Sequence, residues 1–207
     1  VTNGDSMNVS FYRNLQDFPF KQNLTDPTNT VNSVHADSDY IYLAVGDIFN
    51  MGEHLVYVYH KNNMSLATTL TDSGASVNSL YADEQYLYAG GSDSKVQVYY
   101  RDNLSLKQNI TGTETNFDTL YADDSYLYVG GTNDKVQIYY KNNFSLKKNL
   151  TEAGSDVTSI YVDEQYLYAG GADHKVQVYY KNNLTFKQNL TGSGDIIQAV
   201  YADEDYV

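Results

Sequence analysis

Carboxylates recur in pairs along the chain: Asp37 and Asp39, Asp83 and Glu84, Asp123 and Asp124, Asp163 and Glu164, Asp203 and Glu204. Grouped oxygens of this kind could hold Ca²⁺, which takes about six to eight oxygen ligands, or act as an acid–base pair on a glycoside. Each pair sits in a polar segment between two apolar runs, where an Asp side chain accepts hydrogen bonds from nearby backbone amides. A solvated turn is therefore the expected role, and no metal or cofactor is assigned. The histidines His35, His54, His60 and His174 fall at unrelated positions, and only His54 and His60 come near the short spacing that zinc ligands need. The pairs Gly90-Gly91, Gly130-Gly131 and Gly170-Gly171, each followed by a polar turn and Lys95, Lys135 or Lys175, imitate a phosphate loop. Such loops require a helix N-terminus after the glycines, whereas alternating strand-type residues follow here. Small residues there let strands approach closely.

A single reaction centre needs specific groups in one copy, and outside the segment Asp47 to His54 every candidate is a repeat of the others. Tyr81 to Gly91 reads YADEQYLYAGG and returns as YADDSYLYVGG at Tyr121, YVDEQYLYAGG at Tyr161 and YADEDYV at Tyr201, a period of 40 residues. A diverged copy, HADSDYIYLAVG, starts at His35, 46 residues before Tyr81, and the extra six residues fall in Asp47 to His54. Each repeat divides into four short runs, as in Val77 to Ala82, Tyr86 to Gly90, Val96 to Tyr100 and Leu104 to Ile110. Runs this short, with alternating rather than helical spacing, are strands. Asp83-Glu84-Gln85, Ser92-Asp93-Ser94 and Arg101-Asp102-Asn103 supply the turn chemistry between them. Four strands in about 40 residues match the size of a propeller blade.

The run LYAGGSDSKVQVYY, Leu87 to Tyr100, resembles the WD-repeat propeller family: a small-residue strand end, an Asp-containing turn, and a Val-x-Val strand closed by an aromatic. The resemblance implies an all-β, WD-repeat-like β-propeller of four-stranded antiparallel blades. Tyr99-Tyr100, Tyr139-Tyr140 and Tyr179-Tyr180 stand where that family has Trp-Asp, and its Gly-His pair is missing, so the likeness carries the fold and no functional residue.

Five blades are expected. Residues 27–71, 72–111, 112–151 and 152–191 make four of them. The fifth is shared by residues 1–26 and 192–207. Ile197 to Ala202 is its first strand, Tyr206-Val207 running on into Val1-Thr2 its second, Val9 to Tyr12 its third and Phe18 to Leu24 its fourth. Joined this way, Tyr201 to Val9 spans 15 residues, as does Tyr81 to Val96. Closure would leave no open sheet edge. The chain is thus expected to begin and end within a strand, as a designed fragment, a trimmed product or a piece of a longer repeat array would. In such a ring the first strands line the channel and the first-turn carboxylates form an acidic ring at its mouth. Most of the abundant Tyr falls within strands and is read as packing between blades.

The chain has no Cys, which excludes disulfides and thiolate chemistry. Thirteen Lys and Arg against 26 Asp and Glu give a net charge of −13, a field that repels phosphate backbones, so nucleic acid is not an expected partner. No apolar run reaches about 18 residues, so no membrane insertion is expected. Sequons at Asn63, Asn103, Asn143 and Asn183 follow the third turn of successive repeats and are candidate glycosylation sites in an exported protein. The expected function is a non-catalytic binding or display module for protein–protein or cell-surface interaction, extracellular in setting. The alternative is a carbohydrate-binding lectin or glycan-active propeller enzyme, an analogy from fold. A lectin would carry a repeated aromatic-plus-amide pocket. Sequence variation between repeats concentrates in the second turns and the insert, which nominates Ile48, Phe49, Met51, Asp93, Asp134, Asp173 and His174 as partner-binding residues.

Overall fold

The computed structural model describes residues 9–12, 20–24, 30–46, 54–111, 116–203 and 206–207. All described regular structure is β. Strands β1 (Val9–Tyr12) and β2 (Phe20–Leu24) form a two-stranded sheet. Four four-stranded antiparallel sheets follow, each a simple up-and-down run in chain order. The first contains β3 (Thr30–Ala36), β4 (Tyr40–Gly46), β5 (Leu55–His60) and β6 (Leu66–Leu70). The second contains β7 (Val77–Ala82), β8 (Tyr86–Gly91), β9 (Lys95–Tyr100) and β10 (Leu106–Thr111). The third contains β11 (Phe117–Ala122), β12 (Tyr126–Gly131), β13 (Val136–Tyr140) and β14 (Leu146–Leu150). The fourth contains β15 (Val157–Val162), β16 (Tyr166–Gly171), β17 (Lys175–Tyr180) and β18 (Thr185–Thr191). Among the described residues no helix is long and apolar enough to cross a membrane.

The core lies between consecutive sheets. Tyr88, Val96, Val98 and Ile110 of the second sheet pack with Phe117, Leu120, Leu127 and Tyr139 of the third. Burial on both faces explains why the second strand reads as a nearly unbroken apolar run, YLYAGG, and why Gln97 of the alternating third strand, KVQVYY, is fully buried. The glycine pair sets the spacing. A Cβ on Gly90 would lie 3.1 Å from Phe117 Cβ and 3.2 Å from Leu120 Cδ1 of the next sheet, and one on Gly171 would lie 2.9 Å from the Asp156 carbonyl oxygen of its own sheet. The first glycine admits the neighbouring sheet and the second admits the backbone beside the first strand.

Repeated four-stranded sheets fit a propeller-like repeat architecture, but the five complete sheets expected from the sequence are four among the described residues. Ile197 to Ala202, expected as the first strand of a fifth sheet, makes no ladder, and β1 and β2 pair with each other. The segment nevertheless sits where a first strand belongs. Val200 N donates to Ser159 Oγ at 2.9 Å, as Ile160 N does to Thr119 Oγ1 at 3.2 Å and Leu80 N to Ser33 Oγ at 3.1 Å. The continuation of Tyr206-Val207 into Val1-Thr2 lies outside the described residues.

Candidate functional site

The sequence Asp-x-x-Tyr-x-Tyr builds each first turn. Asp83 Oδ1 accepts from the amides of Gln85 and Tyr86 at 2.8 and 2.9 Å, and its Oδ2 accepts from the Tyr88 hydroxyl at 3.1 Å. Asp37, Asp123 and Asp163 do the same with Tyr42, Tyr128 and Tyr168. A cation from the third turn of the next sheet completes three of these sites: Arg101 Nε at 2.7 Å from Asp37, Lys141 Nζ at 2.8 Å from Asp83 and Lys181 Nζ at 3.1 Å from Asp123. Burial opposes ionisation of Asp37, but the Arg101 guanidinium, the Tyr42 hydroxyl and the two turn amides outweigh it and hold the carboxyl far below its ordinary range. Asp123 is lowered in the same way against its burial, by the Ser125 amide, the Tyr128 hydroxyl and Lys181. The same burial, reinforced by the adjacent carboxylates, raises the tyrosines; Tyr168 is pushed up to about 12.

The first-turn aspartates are therefore fixed by their own turns, and Asp37, Asp83 and Asp123 are ion-paired as well, with Glu84, Asp124 and Glu164 as the exposed second members. Lys141 and Lys181 follow their partners by 58 residues and Arg101 follows Asp37 by 64, the difference being the six-residue insert. That recurring offset was present in the sequence, but local reading does not find it. Along the first strands and on into the segment Ile197 to Ala202, the rings of His35, Tyr81, Tyr121, Tyr161 and Tyr201 form a file with centroid spacings of 4.9, 5.0, 5.7 and 4.9 Å. His35 Nε2 lies 3.1 Å from the Ala82 carbonyl oxygen, and burial lowers the ring's basicity.

The tyrosines divide into buried and exposed sets. Tyr88 and Tyr99 are buried, but Tyr100, Tyr140 and Tyr180 are 38, 38 and 39% exposed. Strand alternation sends neighbours such as Tyr99 and Tyr100 to opposite faces; both faces pack against neighbouring sheets, and Tyr100 is exposed because it is the last residue of its strand. Tyr86 pairs across the ladder with Tyr100, Tyr126 with Tyr140 and Tyr166 with Tyr180, with ring centroids 5.9, 5.7 and 5.8 Å apart. A lysine from the fourth strand lies over each pair: Lys107 is 4.7 Å from the Tyr100 centroid, Lys147 is 4.2 Å from Tyr126 and Lys187 is 3.9 Å from Tyr166. Beside Tyr166 and Tyr180 opens a shallow pocket of about 310 Å³ walled by Glu164, Gln165 and Asn182. A second, of about 320 Å³, has Tyr126 and Tyr140 with Asp124, Ser125, Lys141 and Asn142. The first sheet carries a degraded copy, Tyr40 against His60 at 5.4 Å, with Ala67 in the lysine position.

The second turns lie at the other end of each sheet. Asp93 and Asp173 are held by their own turns: each accepts from the amide two residues on (Lys95, Lys175) at 3.2 Å and from a buried glutamine (Gln97, Gln177) at 3.0 Å. Asp134 and His174 occupy the left-handed position of this turn, with φ of 61° and 67°, and are exposed. Ile48, Phe49 and Met51 lie outside the described residues. His54 Nδ1 is 3.5 Å from Ser76 Oγ and His60 stacks on Tyr40, so the two do not converge. Asn63, Asn103, Asn143 and Asn183 are exposed, each Oδ1 accepting from the backbone amide and hydroxyl of the Ser or Thr two residues on. Compared with known proteins, the chain matches no family model and no curated sequence.

Proposed function

We propose that the chain is a non-catalytic binding module built as a five-bladed, WD-repeat-like propeller and working at a cell surface or in an extracellular assembly. The observation that carries this reading is that the first-turn aspartates Asp37, Asp83 and Asp123, recurring groups suited to catalysis, spend their oxygens on turn amides, tyrosine hydroxyls and cross-sheet cations, while Tyr100, Tyr140 and Tyr180 are exposed in three successive sheets. A panel of chromogenic glycosides and esters tests it: binding without turnover is expected, and time-dependent product would refute it. For a protein partner, the proposed contacts are Asp93, Asp134, Asp173 and His174 of the second turns, together with Ile48, Phe49 and Met51, because these sequence positions vary between repeats.

The ring of five is supported by register. In β1 and β2, Val9 opposes Leu24, Ser10 opposes Asn23 and Tyr12 opposes Phe20, matching Val96 with Ile110, Gln97 with Asn109 and Tyr99 with Leu106, irregularity included. The two strands thus act as the third and fourth of a blade whose first is Ile197 to Ala202. Lys61 holds the position of Arg101, Lys141 and Lys181, and Asp203 that of Asp37, Asp83 and Asp123, so closure brings Lys61 onto Asp203. A charge-swap cycle, Lys61→Glu with Asp203→Lys, should recover at least about 0.5 kcal/mol relative to the sum of the singles; strict additivity would refute closure. The carbohydrate reading is favoured by one specific feature, the aromatic-plus-amide pockets repeated from sheet to sheet.

A further inference from the structure

We infer that each Tyr pair with its rim is a binding site for one or two rings of a neutral glycan, so that the protein is a multivalent lectin on the face bearing the first and third turns. The inference rests on the carbohydrate reading above and assigns it to residues. In the fourth sheet the site is Tyr166, Tyr180, Glu164, Gln165 and Asn182; in the third it is Tyr126, Tyr140, Asp124, Ser125, Lys141 and Asn142. The second sheet repeats the arrangement with Tyr86, Tyr100, Glu84, Gln85 and Asp102.

Three physical features select a sugar. A pyranose presents a C–H face and a rim of hydroxyls, and the site offers tilted tyrosine rings beside side-chain amides and a carboxylate, which accept and donate at that rim. The pockets, at about 310 and 320 Å³, are at the small end of ligand sites, roughly 300–1,000 Å³, and shallow enough for a chain to continue into solvent. The net charge of −13 disfavours sialylated or sulfated chains. Lys187 lies over Tyr166 and is no part of the pocket wall; it fixes the rings and leaves the pocket open. Lys147 does likewise and donates to the Tyr126 hydroxyl at 2.6 Å. The rings are thus held before ligand arrives, which lowers the ordering cost of binding.

Three weak sites on one rigid face gain avidity on a multivalent surface, by roughly 10²–10⁴ over one site. The test uses the whole chain on surfaces coated with neutral oligosaccharides ending in glucose, galactose, mannose or N-acetylhexosamine, with sialylated and sulfated chains alongside. Capture by at least one neutral surface is expected. Tyr100→Ala, Tyr140→Ala and Tyr180→Ala combined should lower apparent affinity about 100-fold or more. Should that variant unfold in a thermal melt, Asp102→Trp, Asn142→Trp and Asn182→Trp, all at exposed turn positions, fill the pockets while leaving every tyrosine in place and should have the same effect. Capture that survives pocket filling in a folded protein overturns the site while leaving a lectin. Binding restricted to anionic chains overturns the ligand class. Absence of capture on every glycan surface removes the carbohydrate reading itself, and the binding-module reading then stands on the other face.

Discussion

Replacing Tyr99 by alanine removes a ring that is 1% exposed and packed among Val56, Val58, Leu70, Val77 and Leu80, residues of its own sheet and the one before it. A buried aromatic covers about 150–250 Å². At about 25 cal/mol per Å², its transfer alone is worth roughly 4–6 kcal/mol, an upper figure because the unfolded chain already hides part of that surface. Measured aromatic-to-alanine losses of about 3–5 kcal/mol agree. Domains of this kind have about 5–15 kcal/mol in total, so one ring is a large fraction. For a chain of this length each kcal/mol shifts Tm by about 2–4 °C, giving a fall of about 6–20 °C. Tyr139→Ala and Tyr179→Ala, at 4% and 0% exposure, repeat the experiment in the next two sheets. Tyr100→Ala is the control: the same residue type one position along, 38% exposed, and expected to cost under about 1 kcal/mol. Urea unfolding followed by far-UV circular dichroism reads all four. Equal small losses at Tyr99 and Tyr100 would refute the claim that the core lies between sheets.

Acid should unfold the protein through its turn aspartates. The folded carboxyls of Asp37 and Asp123 lie below the ordinary 3.8, so their stabilisation is complete above that pH and is lost as pH falls through their folded values. Arg101→Ala removes the partner of Asp37, should cost about 1–2 kcal/mol after allowance for solvent screening, and should move the acid midpoint upward; an unchanged midpoint would contradict the pairing. Gly90→Ala meets Phe117 and Leu120 at 3.1–3.2 Å and should lose about 1–3 kcal/mol by overpacking. Gly74→Ala, with nothing nearer than 3.7 Å, should be close to neutral, and the two are compared by urea midpoint. Secretion from a eukaryotic host should add N-glycans at Asn63, Asn103, Asn143 and Asn183, read as mass removed by a peptide-N-glycosidase; bare asparagines in the secreted protein would refute exposure of the third turns to the modifying machinery.

What was legible in the sequence was whatever is local and repeats. The four strands of the second sheet fall within two residues of the runs read from Val77 to Ile110, because turn chemistry at Asp83, Asp93 and Asp102 brackets them. The aspartate turns were legible for the same reason: an Asp two and three residues before amides it can accept from is a local event. The Tyr pairs were not legible. Tyr86 and Tyr100 are 14 residues apart and become a pair only through ladder register, and whether the face they share is buried depends on the neighbouring sheet, which strand alternation does not encode. The fourth-strand lysine over each pair needs a second register, irregular between Leu106 and Gln108.

The variable face and the repeated face answer different binding problems. The expectation that recognition needs asymmetry pointed to the second turns, yet Asp93 and Asp173 spend their side-chain oxygens on their own turn amides, glutamines and lysines, and a carboxylate so occupied must give up those bonds before it can serve a partner. At the other end, Tyr100, Tyr140 and Tyr180 are exposed and identical. Near-copies fit poorly to one partner in one orientation, but they match a ligand that is itself repeated, because each added site raises the effective concentration for the next. A polymer of sugars on a surface is such a ligand. The feature that weakens the case for a unique protein partner, the near-identity of the sheets, is therefore the feature a multivalent lectin requires. The degraded Tyr40 and His60 pair in the first sheet then sets the prediction apart from a purely structural role: rings needed only for folding would matter there as elsewhere, whereas His60→Ala should leave glycan capture unchanged and Tyr180→Ala should not.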